Sequence, residues 1–309
     1  MDHLIQPECI HTAMEDVWRA TYLDCLRPAI TDELVANPQI FFSTHCDAFL
    51  RSRWNLVRTV TMADPWRLGV LLDLAVGASP LAGDFVECGS YRGGTGVLLG
   101  LLLRELGVNK KVFLLDSFEG LPAPDHLRDR GYLGGQLKGD LAALVSLIDE
   151  LGLGATVLVK KGWFRQSIPD LIADQEITCI SLLHVDCDLY QSTRDCLPAL
   201  YPLVSHGAPI VFDDFNDGAR GEKRAVLEFF GERSERQCFH VGPVPQIHVI
   251  KGAPFVASID KVDAGTHQYD FRYYRTNPCY REWIRQKVSG DVMEQVMIAV
   301  REDKKETHG

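Results

Sequence analysis

Short apolar runs alternate with longer amphipathic segments from Asp84 onward. Five runs have the aliphatic and β-branched composition of buried strands, and they are Asp84–Cys88, Lys111–Leu115, Ala155–Val159, Ile177–Val185 and Pro209–Phe212. The segments between them are long enough for crossover helices and include Gly96–Leu106, Leu141–Leu151 and Gln191–Leu203. This alternation predicts an α/β fold in which helices cover both faces of a parallel sheet.

The sheet is predicted to end in an antiparallel hairpin. Two further runs, Gln237–Val241 and Gln246–Ile250, are separated by Gly-Pro-Val-Pro, which favours a turn. We therefore expect a Rossmann-like, mostly parallel sheet of seven strands whose last pair is antiparallel.

The chain divides into three predicted regions. Residues 1–80 precede the first strand and have the pattern of a helical cap or lid, whereas residues 81–252 form the Rossmann-like domain. Residues 253–309 form a C-terminal arm rich in tyrosine, and this aromatic arm suggests a homodimer or a higher homo-oligomer.

Composition and charge narrow the possible partners. The net charge of −10 argues against nucleic-acid binding, since neutralising phosphates requires clustered lysine and arginine. No apolar run approaches the length of a membrane span, and the first residues lack a basic segment followed by an apolar one. We expect a cytoplasmic protein with no membrane partner. The nine cysteines include no C-x-x-C pair of the kind that binds zinc.

A glycine-rich turn follows the first strand and opens a helix. Its spacing departs from the dinucleotide pattern G-x-G-x-x-G because Tyr91 stands where a glycine is required, and no phosphate-binding P-loop occurs. A pyrophosphate ligand is thus disfavoured, although the turn can still bring backbone N–H groups close to a cofactor. The predicted cofactor-binding residues of this loop are Gly89, Ser90, Tyr91, Arg92, Gly93, Gly94 and Thr95.

Two acidic residues stand near the ends of the first two strands. Glu87 suits the cationic amino end of an amino-acid-like cofactor, and Asp116 can accept hydrogen bonds from ribose hydroxyls. Ser117 and Phe118 directly follow and belong to the same predicted site. The alternative for Asp116 is that it caps the next helix.

Four carboxylates follow the fourth and fifth strands. Asp186 and Asp188 end one strand and Asp213 and Asp214 the next, so the sheet should bring them to one edge. Such a cluster resists ionisation unless a cation is present, and oxygen ligands favour Mg²⁺. The two-residue period of a strand predicts that Asp186 and Asp188 face the site while Cys187 points away. One acid could then bind metal while another takes a proton.

A purely structural interpretation of these acids remains open. Asp213 and Asp214 could begin a solvated loop, and Asp188 could cap the helix that starts near Tyr190.

Several motifs in order resemble the macrocin O-methyltransferase family over roughly Trp66 to Lys251. The matching stretches are Val86–Gly96, Asp116–Pro122, Lys161–Pro169, Asp186–Thr193, Leu200–Pro202 and Asp213–Phe215. The resemblance implies the fold of class I methyltransferases and transfer of a methyl group from S-adenosylmethionine. The implied acceptor is a hydroxyl of a small natural product, on a sugar or a phenol.

The resemblance also implies roles for individual residues. Asp186, Asp213 and Asp214 would hold Mg²⁺, and Asp188 would be the general base. Glu87, the loop 89–95 and Asp116 would bind S-adenosylmethionine. Trp163 and Phe164 would lie near its adenine, with an ordinary aromatic core as the alternative. Cys187 and Phe215 depart from the family's common glycine and tyrosine.

Other functions fit parts of the same pattern. A methyltransferase without a metal could act on nitrogen or carbon, and a non-catalytic adenosyl-binding regulatory subunit could retain the fold. A dehydrogenase is the weakest alternative because of the broken glycine spacing.

Overall fold

The computed structural model describes residues 44–63, 65–129, 131–215, 221–231, 233, 235–240 and 246–254. All of them belong to one compact unit, residues 41–269. Most of the predicted N-terminal cap, and the C-terminal arm from residue 255 onward, lie outside the described residues. The oligomeric state that we expect from that arm therefore stays a prediction.

Seven strands form one sheet in the order β3-β2-β1-β4-β5-β7-β6. The strands are β1 Asp84–Cys88, β2 Val112–Asp116, β3 Val157–Lys161, β4 Ile180–Val185, β5 Pro209–Phe212, β6 Glu235–His240 and β7 Gln246–Pro254. Strands β1 to β5 pair in parallel, whereas β7 runs antiparallel to both β5 and β6. The predicted Rossmann-like sheet with an antiparallel last pair is confirmed.

Helices flank the sheet. They are α1 Thr44–Val57, α2 Pro65–Ala78, α3 Gly94–Glu105, α4 Leu141–Glu150, α5 Phe164–Ala173, α6 Tyr190–Leu200 and α7 Gly221–Phe230, with a 3₁₀ turn at Tyr201–Leu203. The four from α3 to α6 connect the parallel strands of the sheet. The sequence did not predict α5, which contains Pro169, or α7. The sequence also placed β3 two residues too early and began β4 three residues too early.

The core lies between the central strands and the helices. The aromatic rings of Phe85, Phe113 and Phe212, on three of the parallel strands, are almost completely buried. Because helices cover both faces, these strands need no polar face, which explains their nearly continuous apolar composition.

The order of the strands decides which residues meet at the carboxyl edge. Strand β1 lies beside β4 and β4 beside β5, so the residues that follow these three strands are neighbours. Asp186 N–H donates to the carbonyl of Cys88 at 2.8 Å, and Asp213 N–H donates to the carbonyl of Val185 at 2.9 Å. The glycine turn and the acidic residues therefore share one edge, as expected for a ligand crevice in an open α/β sheet.

None of the helices in the described ranges is both long and apolar enough to cross a bilayer.

Candidate functional site

The glycine turn has a backbone conformation that residues other than glycine adopt only at a cost in free energy. Gly89 has a φ of +93° and Gly93 a φ of +76°, and Gly93 is the N-cap of α3. Tyr91, between them, also has a positive φ, of +50°. Its N–H donates to Asp116 Oδ2 at 2.8 Å, so the turn after β1 is tied to the end of β2.

Two buried polar atoms beside this turn have no hydrogen-bond partner in the described part of the chain. They are Glu87 Oε2 and Ser90 Oγ. A buried polar atom without a hydrogen-bond partner costs free energy, so two such atoms close together are uncommon away from ligand sites. Both residues were predicted to bind the cofactor, and their free oxygens fit an amino group and a hydroxyl of a bound ligand.

Asp116 does not cap a helix. Its Oδ1 accepts the N–H of Phe118 at 2.7 Å, and no helix occurs among the described residues between Asp116 and Leu141. Burial raises the pKa of Asp116, although the N–H groups of Phe118 and Tyr91 oppose this. Ser117 and Phe118 are buried beside it.

The two predicted adenine neighbours differ in burial. Trp163 and Phe164 follow β3, which pairs with β2, so they lie at the same edge as Asp116. The Trp163 side chain is 37% exposed, which is inconsistent with ordinary core packing. Phe164 packs partly buried against the core, so it also fits the structural alternative.

The four aspartates lie at one edge of the sheet, near enough to affect one another's ionisation. Asp213 and Asp214 are 1% and 8% exposed, which excludes a solvated loop at these two positions. Burial, with the charges of Asp213 and Asp214, raises the pKa of Asp186 well above its usual value. Burial and the charge of Asp214 do the same to Asp188, and burial and Asp213 raise the pKa of Asp214. A cation would relieve this repulsion.

The expected extended backbone at Asp186–Asp188 is wrong. Strand β4 ends at Val185, and Asp188 has a φ of +58° in a three-residue turn closed by Leu189 N–H and the carbonyl of Cys187 at 2.5 Å. The turn still has the predicted result, because Cys187 packs into the core while both acids reach the cluster.

Asp188 does not cap α6 either. The N-cap residue is Leu189, which makes no side-chain cap. The N–H of Tyr190 is instead bound by Asp129 Oδ1, at 2.7 Å, from a distant loop.

Asp213 is the most strongly paired of the four acids. It accepts hydrogen bonds from Arg67 and, at 2.7 Å, from Gln246, and His184 Nε2 lies 3.5 Å from its Oδ1. Burial alone would raise the pKa of Asp213, but the Arg67 charge and His184 lower it to about 2. Asp214 differs, since its buried Oδ2 has no partner among the described residues.

His184 links the acid cluster to the cofactor turn. Its Nδ1 lies 3.1 Å from Glu87 Oε1. Burial alone would lower the pKa of His184, but hydrogen bonds with Asp213 and Glu87 raise it to about 9. Ligand atoms of His184, Asp186 and Asp213 lie within 4.8 Å of one another. A protonated imidazole has no free lone pair, however, so His184 suits an ion-pairing role better than that of a metal ligand.

Two residues that the sequence did not single out hold the acidic turns in place. Glu222, at the start of α7, is fully buried and accepts the N–H groups of Cys187 at 3.1 Å and Asp214 at 3.0 Å. Tyr132 donates its hydroxyl hydrogen to Asp188 Oδ1. An acid in the first turn of a helix was the only local signal for Glu222, and Tyr132 had none.

The comparison with curated proteins gives related methyltransferases. The chain is 32% identical over 147 residues to the 8-demethyl-8-(2,3-dimethoxy-alpha-L-rhamnosyl)-tetracenomycin-C 4'-O-methyltransferase of Streptomyces olivaceus, a match that covers 45% of this chain and 55% of the relative. It is 33% identical over 145 residues to the demethyldecarbamoylnovobiocin O-methyltransferase of Streptomyces niveus, covering 43% and 53%. The chain thus spans about half the length of the curated relatives it matches.

Solved structures and a family model agree with this result. The O-methyltransferase NovP superimposes with a TM-score of 0.54 at 26% identity, over 62% of this chain and 82% of its own. The calicheamicin methyltransferase CalS11 has a TM-score of 0.55 at 20% identity, over 72% and 90%, which shows a shared fold. The macrocin O-methyltransferase (TylF) family model matches residues 57–238, more than half of the chain. The chain therefore belongs to the macrocin O-methyltransferase family.

Proposed function

We propose that this protein transfers a methyl group from S-adenosylmethionine to a hydroxyl of a small natural product, on a sugar or a phenol, with the assistance of Mg²⁺. The observation that carries the proposal is the contact between the glycine turn and the acid cluster. A Cβ atom at Gly89 would lie 1.7 Å from the carbonyl oxygen of Asp186, so a donor on the turn would lie beside the acids.

The donor is bound by side chains and backbone at the ends of β1, β2 and β3. Glu87 Oε2 would accept a hydrogen from the ammonium group of the methionine part, and Asp116 would accept hydrogens from the ribose hydroxyls. The turn 89–95 would bind the cofactor through its backbone N–H groups. Trp163 and Phe164 would lie near the adenine, and the exposure of Trp163 leaves its ring free to do so.

Asp188 removes the acceptor proton. The acceptor oxygen attacks the methyl carbon as the carbon–sulfur bond breaks, and the hydroxyl proton passes to the Asp188 carboxylate. The products are the methyl ether and S-adenosylhomocysteine. Asp188 is partly exposed, unlike Asp213 and Asp214, so an acceptor can reach it.

Asp186, Asp213 and Asp214 would hold the Mg²⁺ ion. The set consists of oxygen donors, which Mg²⁺ prefers, and the unpartnered Asp214 Oδ2 and the raised pKa of Asp186 favour a bound cation there. Asp213 is already neutralised by Arg67, so Asp186 and Asp214 gain most from the ion. When bound, Mg²⁺ supplies Lewis acidity that lowers the pKa of an acceptor hydroxyl.

The names of the relatives suggest the acceptors to test. We would incubate the protein with S-adenosylmethionine, Mg²⁺ and each of three probes. Two probes are 8-demethyl-8-(2,3-dimethoxy-α-L-rhamnosyl)-tetracenomycin C and demethyldecarbamoylnovobiocin. The third is mycinamicin III, from the name of another relative, the mycinamicin III 3''-O-methyltransferase of Micromonospora griseorubida. Mass spectrometry should detect the gain of one methyl group on at least one of them.

Removal of the metal tests the assisted mechanism. Thorough chelation, or Asp214→Asn, is expected to lower the rate of methyl transfer by at least about 100-fold, because charge stabilisation at the reacting oxygen is lost. The matched control is Asp170→Asn, at an exposed aspartate of α5. Full activity after chelation would favour a metal-independent methyltransferase. Binding of S-adenosylhomocysteine without any methyl transfer would favour a regulatory subunit.

A further inference from the structure

The loop between β2 and α4 brings a tyrosine to the acid cluster. Residues 117–140 connect the two elements, and Tyr132 in this loop donates its hydroxyl hydrogen to Asp188 Oδ1. The two residues are 56 positions apart in sequence, so tertiary packing alone creates the contact. The tyrosine ring is half-buried, and its hydroxyl points at the one aspartate that the proposed function assigns to proton removal.

The loop is anchored on both sides of Tyr132. On the N-terminal side, Asp129 is buried and binds the N–H of Tyr190 at the start of α6. On the C-terminal side, the carbonyl of Gln136 accepts the N–H of Leu121, from the start of the loop, at 2.7 Å. The Gln136 side chain accepts the N–H of Leu133 at the same distance. Tyr132 is thus held in place by the fold, not only by its contact with Asp188.

The hydrogen bond from Tyr132 limits the rotation of the Asp188 side chain. Because a hydrogen bond weakens steeply when its geometry is lost, turning the Asp188 carboxylate would break the contact of Oδ1 with the tyrosine hydroxyl. The bond therefore favours one orientation of the carboxylate. Burial, with the charges of Asp188 and Asp214, raises the pKa of Tyr132 well above its usual value, so it remains a protonated donor.

We propose that Tyr132 is a positioning residue that fixes the orientation of the Asp188 carboxylate toward the acceptor hydroxyl. This inference rests on the proposed function. Within the described part of the chain, Tyr132 makes no hydrogen bond to residues 89–95, so its loss should leave donor binding intact. Loss of the hydroxyl should lower the turnover number, because misplacing a reacting group by about 1 Å can slow a reaction about 100-fold.

The kinetic test compares two Tyr→Phe variants. Tyr132→Phe keeps the half-buried ring and removes only the hydroxyl, so kcat should fall about 10- to 100-fold while the KM for S-adenosylmethionine is unchanged. Tyr190→Phe is the matched control, because Tyr190 also donates to a carboxylate, Glu228 Oε2 at 2.6 Å, but on the exposed face of α6 and α7. It should retain wild-type kcat. A kcat for Tyr132→Phe within threefold of the wild type would overturn the inference.

A second measurement does not depend on the acceptor. In protein labelled with ¹³Cζ-tyrosine, the resonance missing from Tyr132→Phe identifies Tyr132. Its chemical shift should move in Asp188→Asn, because the hydroxyl then donates to a neutral amide oxygen instead of a charged carboxylate, and it should stay in place in Asp170→Asn. An unmoved shift in Asp188→Asn would overturn the inference. Absence of methyl transfer by the wild type on every probe would instead refute the proposed function, and the spectrum would still decide whether Tyr132 holds Asp188.

Discussion

Asp188→Asn is expected to lower kcat/KM for methyl transfer by about 1,000-fold, which corresponds to about 4 kcal/mol of transition-state stabilisation. Asparagine cannot accept the acceptor proton, although it has nearly the same shape as aspartate. Binding of S-adenosylhomocysteine should stay within about threefold of the wild type, because Asp188 is not one of the residues proposed to bind the donor.

The backbone makes asparagine the right replacement. Asp188 has a φ of +58°, and asparagine tolerates this left-handed conformation about as well as aspartate, whereas alanine would add strain. The amide oxygen of asparagine can still accept the hydrogen bond from Tyr132. A loss of activity would then report the missing base, not a disturbed turn.

The measurement is steady-state methyl transfer, with donor binding followed by calorimetry and the fold by thermal unfolding. Asp170→Asn is again the control. Activity of Asp188→Asn within threefold of the wild type would remove Asp188 from the mechanism. Equal losses of activity and donor binding would mean that the substitution damages the whole site.

Gly89→Ala is expected to lower the free energy of unfolding by about 3–5 kcal/mol. Alanine is strained in the left-handed backbone conformation of this position, and its Cβ would be forced against a neighbouring backbone. A Cβ there would lie 1.7 Å from the carbonyl oxygen of Asp186. That carbonyl cannot easily retreat, because Asp186 N–H is bonded to Cys88. The ends of β1 and β4 would have to separate, so donor binding should be lost as well.

Gly107→Ala is the control that introduces the backbone strain without the steric clash. Gly107 also has a positive φ, of +64°, but a Cβ there would meet nothing within 4 Å. It should cost only about 1 kcal/mol and leave donor binding unchanged. Denaturant unfolding of both variants and calorimetry with S-adenosylhomocysteine provide the comparison. Equal stability of Gly89→Ala and Gly107→Ala would contradict the close approach of β1 and β4.

The sheet could be predicted because each of its strands carries a local signal. Mostly apolar runs mark strands that are buried on both faces, and the bounds of β1 and β5 were predicted correctly. Helix α5 was missed because Pro169 interrupts its pattern, although Ile168 and Leu171 bury a helical face. The chain before β4 is also apolar, since Ile177 is buried without joining the sheet, which explains the early prediction of that strand.

Some residues of the candidate site could also be predicted from the sequence, whereas others could not. The acids that follow β4 and β5 were predictable, because parallel strands bring their carboxyl ends to one edge. Arg67 on α2, Gln246 on β7 and Tyr132 in a loop reach Asp213 and Asp188 from distant segments, and no spacing rule connects them. The conformation of Asp188 was mispredicted because a strand period was extended beyond the last hydrogen-bonded residue of β4.

Donor and cation are expected to bind side by side at the edge of the sheet where β1, β4 and β5 end. A crystal structure of the protein with S-adenosylhomocysteine and Mn²⁺ in place of Mg²⁺ tests this arrangement directly, because an anomalous difference map locates the Mn²⁺ ion. The ion is expected among the carboxylates of Asp186, Asp213 and Asp214, with the nucleoside on the turn 89–95. An ion bound elsewhere, or a nucleoside away from that turn, would contradict the account.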